Sequence, residues 1–272
     1  MIQPAPSPAP VIEVANLVTY YGERRILNDI DLQIDSGEIH VVMGGSGSGK
    51  STLLRHLLSL NRPASGTVRL FGEEVNRLPA RALHRLRRRI GVSFQGGALF
   101  NSLNVEENVA FPLREHTRLD DNTIRIMARM KLEVVNLAGF GQLMPAQLSG
   151  GMIKRAALAR AIVMDPQLLF FDEPSAGLDP VVSADLDELI LRLRDAMGVT
   201  ILVVTHELES AFRIADRITV LDKGKILISG STAEVRGCDN PRVQNLLNRR
   251  TEETAVDADE YLQRLTDDLA GL

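Results

Sequence analysis

With 272 residues the chain is long enough for one large domain, or one domain with an appendage, and it can bury a sizeable core. Its 44% hydrophobic content, mixed charge and net charge of -4 describe a soluble globular protein, and no apolar run approaches the roughly 18 residues of a membrane span, so any membrane role is expected to come through a partner. A single cysteine, Cys238, excludes an internal disulfide framework and a cysteine metal cluster, and fits a reducing cytoplasm.

The first ten residues alternate Pro4, Pro6, Pro8 and Pro10 with small residues and read as a disordered arm, not a signal peptide. Val11 to Val18 and Ile26 to Ile34 follow as strands, joined by a turn at Tyr20-Tyr21-Gly22-Glu23. Two readings of Tyr21 stay open: its ring stacks on a purine, or it packs at a strand edge.

The apolar run Ile39, Val41, Val42, Met43 reads as a buried strand, and Leu53, Leu54, Leu57 and Leu58 recur at helical spacing. Between them lies Gly44-Gly45-Ser46-Gly47-Ser48-Gly49-Lys50-Ser51-Thr52, which satisfies G-x-x-x-x-G-K-[ST]. Glycines let successive backbone N–H groups close around phosphate oxygens, and the helix N-terminus adds positive potential. Lys50 is placed to reach β- and γ-phosphates and Ser51 to ligate Mg²⁺. The expectation is a nucleotide-triphosphate site.

Ser65-Gly66-Thr67 and Phe71-Gly72 punctuate a further short strand or hairpin. Arg81 to Arg89 is a basic run, but it lacks interleaved aromatics, and Leu83, Leu86 and Ile90 give it a helical apolar stripe. It reads as a solvated helix with no nucleic acid as partner. Ile90 to Gln95 reads as a strand that ends by presenting an amide toward a metal or water. From Val105 to about Leu143 apolar residues fall at helical intervals (Ile124, Met127, Met130, Leu132, Val135), a helical insertion between sheet-forming halves.

Leu148-Ser149-Gly150-Gly151-Met152 opens the next helix, Ile153 to Val163, with Ser149 as its cap. Leu168 to Phe171 is a hydrophobic strand delivering Asp172 and Glu173 at its carboxyl end, where α/β sheets hold ligands. Asp172 is expected to hold the metal and Glu173 to act as general base. Val199 to Thr205 is another buried strand, and His206 after it can hydrogen-bond a γ-phosphate. Ile218 to Leu221 and Lys225 to Ile228 close as a hairpin through Asp222-Lys223-Gly224. From Thr251 to Leu272 the charge is -6, against +2 for the remainder. There Leu262, Leu265, Leu269 and Leu272 line one face of a short helix that either docks on a protein or stays solvated.

Taken together, these motifs resemble the nucleotide-binding subunits of ABC transporters, in that family's order from Tyr21 to His206. Gly44 to Thr52 matches Walker A, Gln95 the Q-loop, and Leu148 to Met152 the signature. Leu168 to Glu173 matches Walker B, Ser175-Ala176-Gly177-Leu178-Asp179 the D-loop, and His206 the switch histidine. Met152 departs from the usual glutamine. A narrower resemblance, to the ATPases of Mla-type phospholipid transport, rests on Gly97-Ala98-Leu99-Phe100, on Asn108 to Thr117, and on Leu143-Met144-Pro145 leading into the signature with its Met.

The resemblance implies an α/β fold: a RecA-like core, an antiparallel β-subdomain and a helical subdomain at about 96–153. The cassette would span 11–240, with a C-terminal extension at 241–272. It implies ATP and Mg²⁺ as cofactors, with Lys50, Gln95, Glu173 and His206 catalytic and Ser51, Gln95 and Asp172 on the metal. Tyr21, Gly44 to Thr52, Ser149, Gly150, Gly151 and Asp179 would bind nucleotide, the signature facing a partner's phosphate loop in a head-to-tail homodimer. The implied partners are an MlaE-type permease, an MlaD-type MCE protein and an MlaB-type STAS protein, at the cytoplasmic face of an inner membrane, with phospholipid as cargo.

Overall fold

The computed structural model describes residues 10–249; most of the Pro-rich arm and the tail with its leucine stripe lie outside the described residues. The first strands, β1 (Ile12–Tyr21) and β2 (Arg24–Ile34), pair antiparallel from Ile12↔Ile34 to Tyr21↔Arg24. Tyr20 and Tyr21 thus belong to the strand end, and the turn narrows to Gly22 and Glu23. Next come β3 (Ile39–Met43), α1 (Lys50–Leu57), β4 (Ser65–Leu70) and β5 (Glu73–Glu74). One sheet has the order β2-β1-β4-β5 and is antiparallel throughout.

After α2 (Ala80–Arg87) the chain enters β6 (Ile90–Ser93), which stops two residues short of Gln95. The basic run is partly engaged within the fold: Arg87 donates to the Leu58 and Ser59 carbonyls, and Arg89 stacks 3.7 Å from the Phe71 ring centroid. Helices α3 (Val105–His116), α4 (Asp121–Val134) and α5 (Gly150–Ile162) follow. Each start is written locally. Asn104 and Glu107 form a capping box, Asp120 accepts from Asn122 and Thr123, and Ser149 accepts from Met152.

The remaining elements are β7 (Leu168–Asp172), α6 (Pro180–Met197), β8 (Thr200–Thr205), α7 (Leu208–Ile214), β9 (Arg217–Asp222), β10 (Lys225–Ser231), α8 (Thr232–Arg236) and α9 (Pro241–Leu247). The sequence reading did not foresee α6 to α9. Yet α6 carries plain signals: Asp179 as cap, Pro180 in the first turn and Gly198 at φ 61 as the stop. α7 to α9 are five to seven residues long, too short for periodicity to declare them.

The second sheet has the order β10-β9-β3-β8-β7-β6, parallel except for β10. A parallel sheet covered on both faces needs apolar residues on both, hence the hydrophobic runs of β7 and β8 and that of β3, broken only by the buried His40, which hydrogen-bonds Thr219. Alternate residues separate into two cores. Ile39, Val41, Leu169, Phe171, Ile201 and Val203 face the α3–α7 side, while Val42, Leu168, Phe170, Leu202 and Val204 face the antiparallel sheet and α1. Phe170 and Phe171 are both fully buried, each contributing on the order of 2–3 kcal/mol of transfer free energy. Val243 of α9 is fully buried in the first of these cores, so packing continues past residue 240. No helix among the described residues is long and apolar enough to cross a membrane.

Candidate nucleotide site

The phosphate loop leaves the carboxyl end of β3 and enters α1 at Lys50. Gly47 at φ 74 and Gly49 at φ 111 supply the left-handed turns that wrap a loop around an anion. Gly44 is fixed by space: a Cβ there would lie 2.1 Å from the Leu221 carbonyl oxygen. Lys50 is 9% exposed and folds back over the loop, its Nζ donating to the carbonyls of Gly44 (2.8 Å) and Gly45 (3.0 Å). Burial lowers its pKa, opposed by the charges of Glu173 and Asp172.

The loop is also tied down from outside. Lys223 (φ 44) and Gly224 (φ 75) make the β9–β10 turn, the pattern of a type I′ hairpin. The Gly224 N–H donates to the Ser48 carbonyl at 2.9 Å, and the Gly224 carbonyl accepts from the Asn28 N–H of β2 at 2.8 Å.

β3 and β7 lie on either side of β8, so their carboxyl ends open into one cleft of about 660 Å³. Gly44 to Gly47, Lys50 and Ser51 form one wall. Gln95, Asp172, Glu173 and His206 form the other, so these four expected residues are brought together with the loop. Asp172 is half-buried, and burial followed by the adjacent Glu173 raises its pKa, with Lys154 and Lys50 pulling the other way.

Glu173 sits at φ 49, a conformation a glutamate adopts only when its surroundings impose it. Its N–H donates to the Val204 carbonyl at 2.8 Å. Its Oε2 accepts from Thr205 Oγ1 at 3.0 Å and from the His206 backbone N–H at 3.3 Å, and lies 2.9 Å from His206 Nδ1. The carboxylate is thereby fixed at the cleft wall, the arrangement a general base needs.

Tyr21 stands beside this site, not in the cleft lining. Its hydroxyl accepts from Arg55 (3.4 Å) on α1 and Asn61 (3.3 Å), and hydrogen bonding with Thr52 and Arg55 holds its pKa below the usual value. The ring is 45% exposed and tethered to the helix that begins at the phosphate loop.

Ser149, Gly150, Gly151 and Asp179 are not brought into the cleft. Ser149 and Asp179 use their side-chain oxygens as caps of α5 and α6, and both are exposed. Sequence reasoning in turn missed Glu207, the N-cap residue of α7 directly after His206, and Asn245, Leu246 and Arg249, which α9 and the residues after it bring to the cleft. It also missed Lys154, whose 7% exposure marks a buried cation.

A glycine loop closing on a buried lysine at the carboxyl edge of a parallel sheet, with an acidic pair across the cleft, defines a P-loop nucleotide triphosphatase. Its family is narrower than that class. The model for the ABC transporter family matches residues 27–176, and the chain belongs to that family as an ATP-binding, ATP-hydrolysing cassette. It is 42% identical to the intermembrane phospholipid transport system ATP-binding protein MlaF of Haemophilus influenzae over 242 residues, 89% of this chain and 92% of that one. It is also 41% identical to the probable ribonucleotide transport ATP-binding protein mkl of Mycobacterium leprae over 239 residues, 88% of this chain and 69% of that one. Among solved structures it is similar to the dimeric post-hydrolysis state of the cassette MJ0796 bound to ADP and Pi, with TM-score 0.75, 32% identity, and coverage of 81% and 98%. Two solved structures of that cassette are dimeric.

Proposed function

We propose that this chain is the motor subunit of a membrane-bound complex that moves phospholipid between the two membranes of a Gram-negative envelope. Two relatives of nearly equal identity carry names with different cargo, so identity alone does not choose between them. Coverage favours the lipid reading: the alignment spans 92% of the MlaF relative but 69% of mkl. The partners are then an MlaE-type permease, an MlaD-type MCE protein and an MlaB-type STAS protein, with the chain peripheral on the cytoplasmic face of the inner membrane. The cassette occupies 11–240 with its helical unit at about 96–153, followed by an extension at 241–272.

The observation that carries the mechanism is a division of parts: Lys50, Gln95, Asp172, Glu173 and His206 share one cleft, and the signature residues lie outside it. Phosphoryl transfer is mostly positioning and charge stabilisation. The Lys50 ammonium exchanges the Gly44 and Gly45 carbonyls for phosphate oxygens, while Ser46, Ser48, Gly49 and Thr52 complete the loop. Ser51, Gln95 and Asp172 present hydroxyl, amide and carboxylate oxygens, the hard donor set that suits Mg²⁺. When bound, that ion supplies positive charge against the phosphates. Glu173 orients water and takes its proton, and His206, held against Glu173, reads the γ-phosphate. Tyr21 stacks on the adenine. Ser149, Gly150, Gly151 and Asp179 serve the cleft of a second copy. An isolated monomer therefore binds ATP and hydrolyses it poorly.

Purification from membranes with bound partners tests the assignment. Co-purification with an MCE protein is expected. Recovery with an unrelated solute permease and no MCE protein would defeat the lipid reading and leave the ATPase intact.

A further inference from the structure

β6 and β7 are parallel neighbours with Ser93 opposite Phe171. Two residues further along each chain, Gln95 and Glu173 leave the sheet at the same level. The side chain of Lys154, one turn into α5, reaches both. Its Nζ donates to the Glu173 carbonyl at 3.0 Å and to the Gln95 carbonyl. A lysine carries three donors and a flexible stem, and here that stem is buried with two donors on main-chain oxygens.

The contact to Glu173 bears on an unusual backbone. At φ 49 that residue is held by its N–H bond to Val204, by Thr205 and His206 on its carboxylate, and by Lys154 on its carbonyl. Lys154 is the member of this set that belongs to the helix beginning at Gly150, directly after Ser149. A shift of α5 therefore pulls on the peptide that orients the Glu173 side chain, and on the Gln95 backbone with it.

We propose that Lys154 is a positioning residue for hydrolysis: by bridging the Gln95 and Glu173 backbones from the signature helix, it sets the general base in its working geometry only when that helix is in place. The inference rests on the reading of Glu173 as general base. It assigns to the signature helix a mechanical role in its own chain's cleft, besides the one proposed in a partner's.

Lys154→Met keeps the length of the side chain and removes its donors, and Lys154→Arg keeps donors. In the full-length protein, kcat of Lys154→Met is expected to fall on the order of 10–100-fold, the scale of a misplaced reacting group, with the Kd for a fluorescent ATP analogue within about twofold. Lys154→Arg should recover most of the lost kcat. Where Glu173→Gln has already removed the base, adding Lys154→Met should cost little more. Lys154→Gln, with one amide donor, serves as a second variant if the Met form does not fold, and should show an intermediate kcat at unchanged Kd. Parallel loss of kcat and nucleotide affinity, unchanged kcat, or a full further loss in the Glu173→Gln background would overturn the proposal. Those outcomes are distinct from failure of the underlying reading, which would show as Glu173→Gln retaining turnover.

Discussion

Glu173→Gln keeps the outline of the side chain and removes its charge and basicity. Positioned general bases contribute typically 10²–10⁴-fold, so kcat should drop by about that factor, or roughly 3–5 kcal/mol of barrier. The fold bears a smaller cost. A glutamine turned with its oxygen toward Thr205 Oγ1 (3.0 Å) and the His206 N–H (3.3 Å) keeps both bonds but as neutral ones, a loss on the order of 1 kcal/mol. Against this, the charge that raises the pKa of Asp172 is gone, which offsets part of that loss. The net change in Tm should be no more than about 2–4 °C. ATP affinity should stay within about threefold, since Lys50, Ser51 and the loop are untouched. Phosphate release at saturating Mg-ATP gives kcat, titration with a fluorescent analogue gives Kd, and size exclusion with ATP should show accumulated closed dimer. Turnover within about threefold of the parent chain would refute the general-base assignment.

Lys50→Ala removes charge-assisted phosphate contacts of about 1.5–3 kcal/mol, and should weaken ATP binding by roughly 10- to 150-fold in the same titration. Because burial lowers the Lys50 pKa, ATP affinity should fall as pH rises through values below those at which an ordinary lysine deprotonates, a trend measurable as Kd against pH. Asp172→Asn should abolish Mg-dependent hydrolysis yet raise the Tm of the nucleotide-free protein at neutral pH. The sign follows from a folded-state pKa above the unfolded one: the carboxyl's contribution to stability is complete below the unfolded pKa and is lost as pH rises through the folded one. The two proteins should therefore converge in Tm near pH 3. Gly224→Ala places a Cβ 2.1 Å from the Ile26 carbonyl at a φ of 75, and should lower Tm by several degrees while loosening ATP binding through the Ser48 tether.

Local signals made much of the cleft legible. The strand, glycine loop and helix at 39–57, the acid-ended strand β7 and the Lys223-Gly224 hairpin each carry their structure within about ten residues. Lys50, Asp172 and Glu173 followed from those contexts, and their meeting in one cleft is decided by strand order, which places β8 between β3 and β7. Residues whose role depends on a distant partner were not legible. Lys154 reads as one more helix lysine until α5 is laid under the ends of β6 and β7. Asn245 and Arg249 reach the cleft only because Val243 anchors α9 in the core. The exposure of Ser149 and Asp179 is likewise invisible in the motifs that contain them.

The Gly224 turn joins the phosphate loop to both sheets, through Ser48 on one side and Asn28 on the other. Tyr21 ends β1, which pairs with the same β2. The proposed base platform and the phosphate loop are therefore both tied to β2, like the two jaws of a caliper on one beam. In the proposed mechanism, loss of the γ-phosphate removes the group that His206 and Glu173 address, while the backbone bonds that tie the loop down do not involve that group. On that reading a diphosphate still spans the two jaws, and departure of product is expected to follow separation of the proposed pair of subunits, not slackening of the loop.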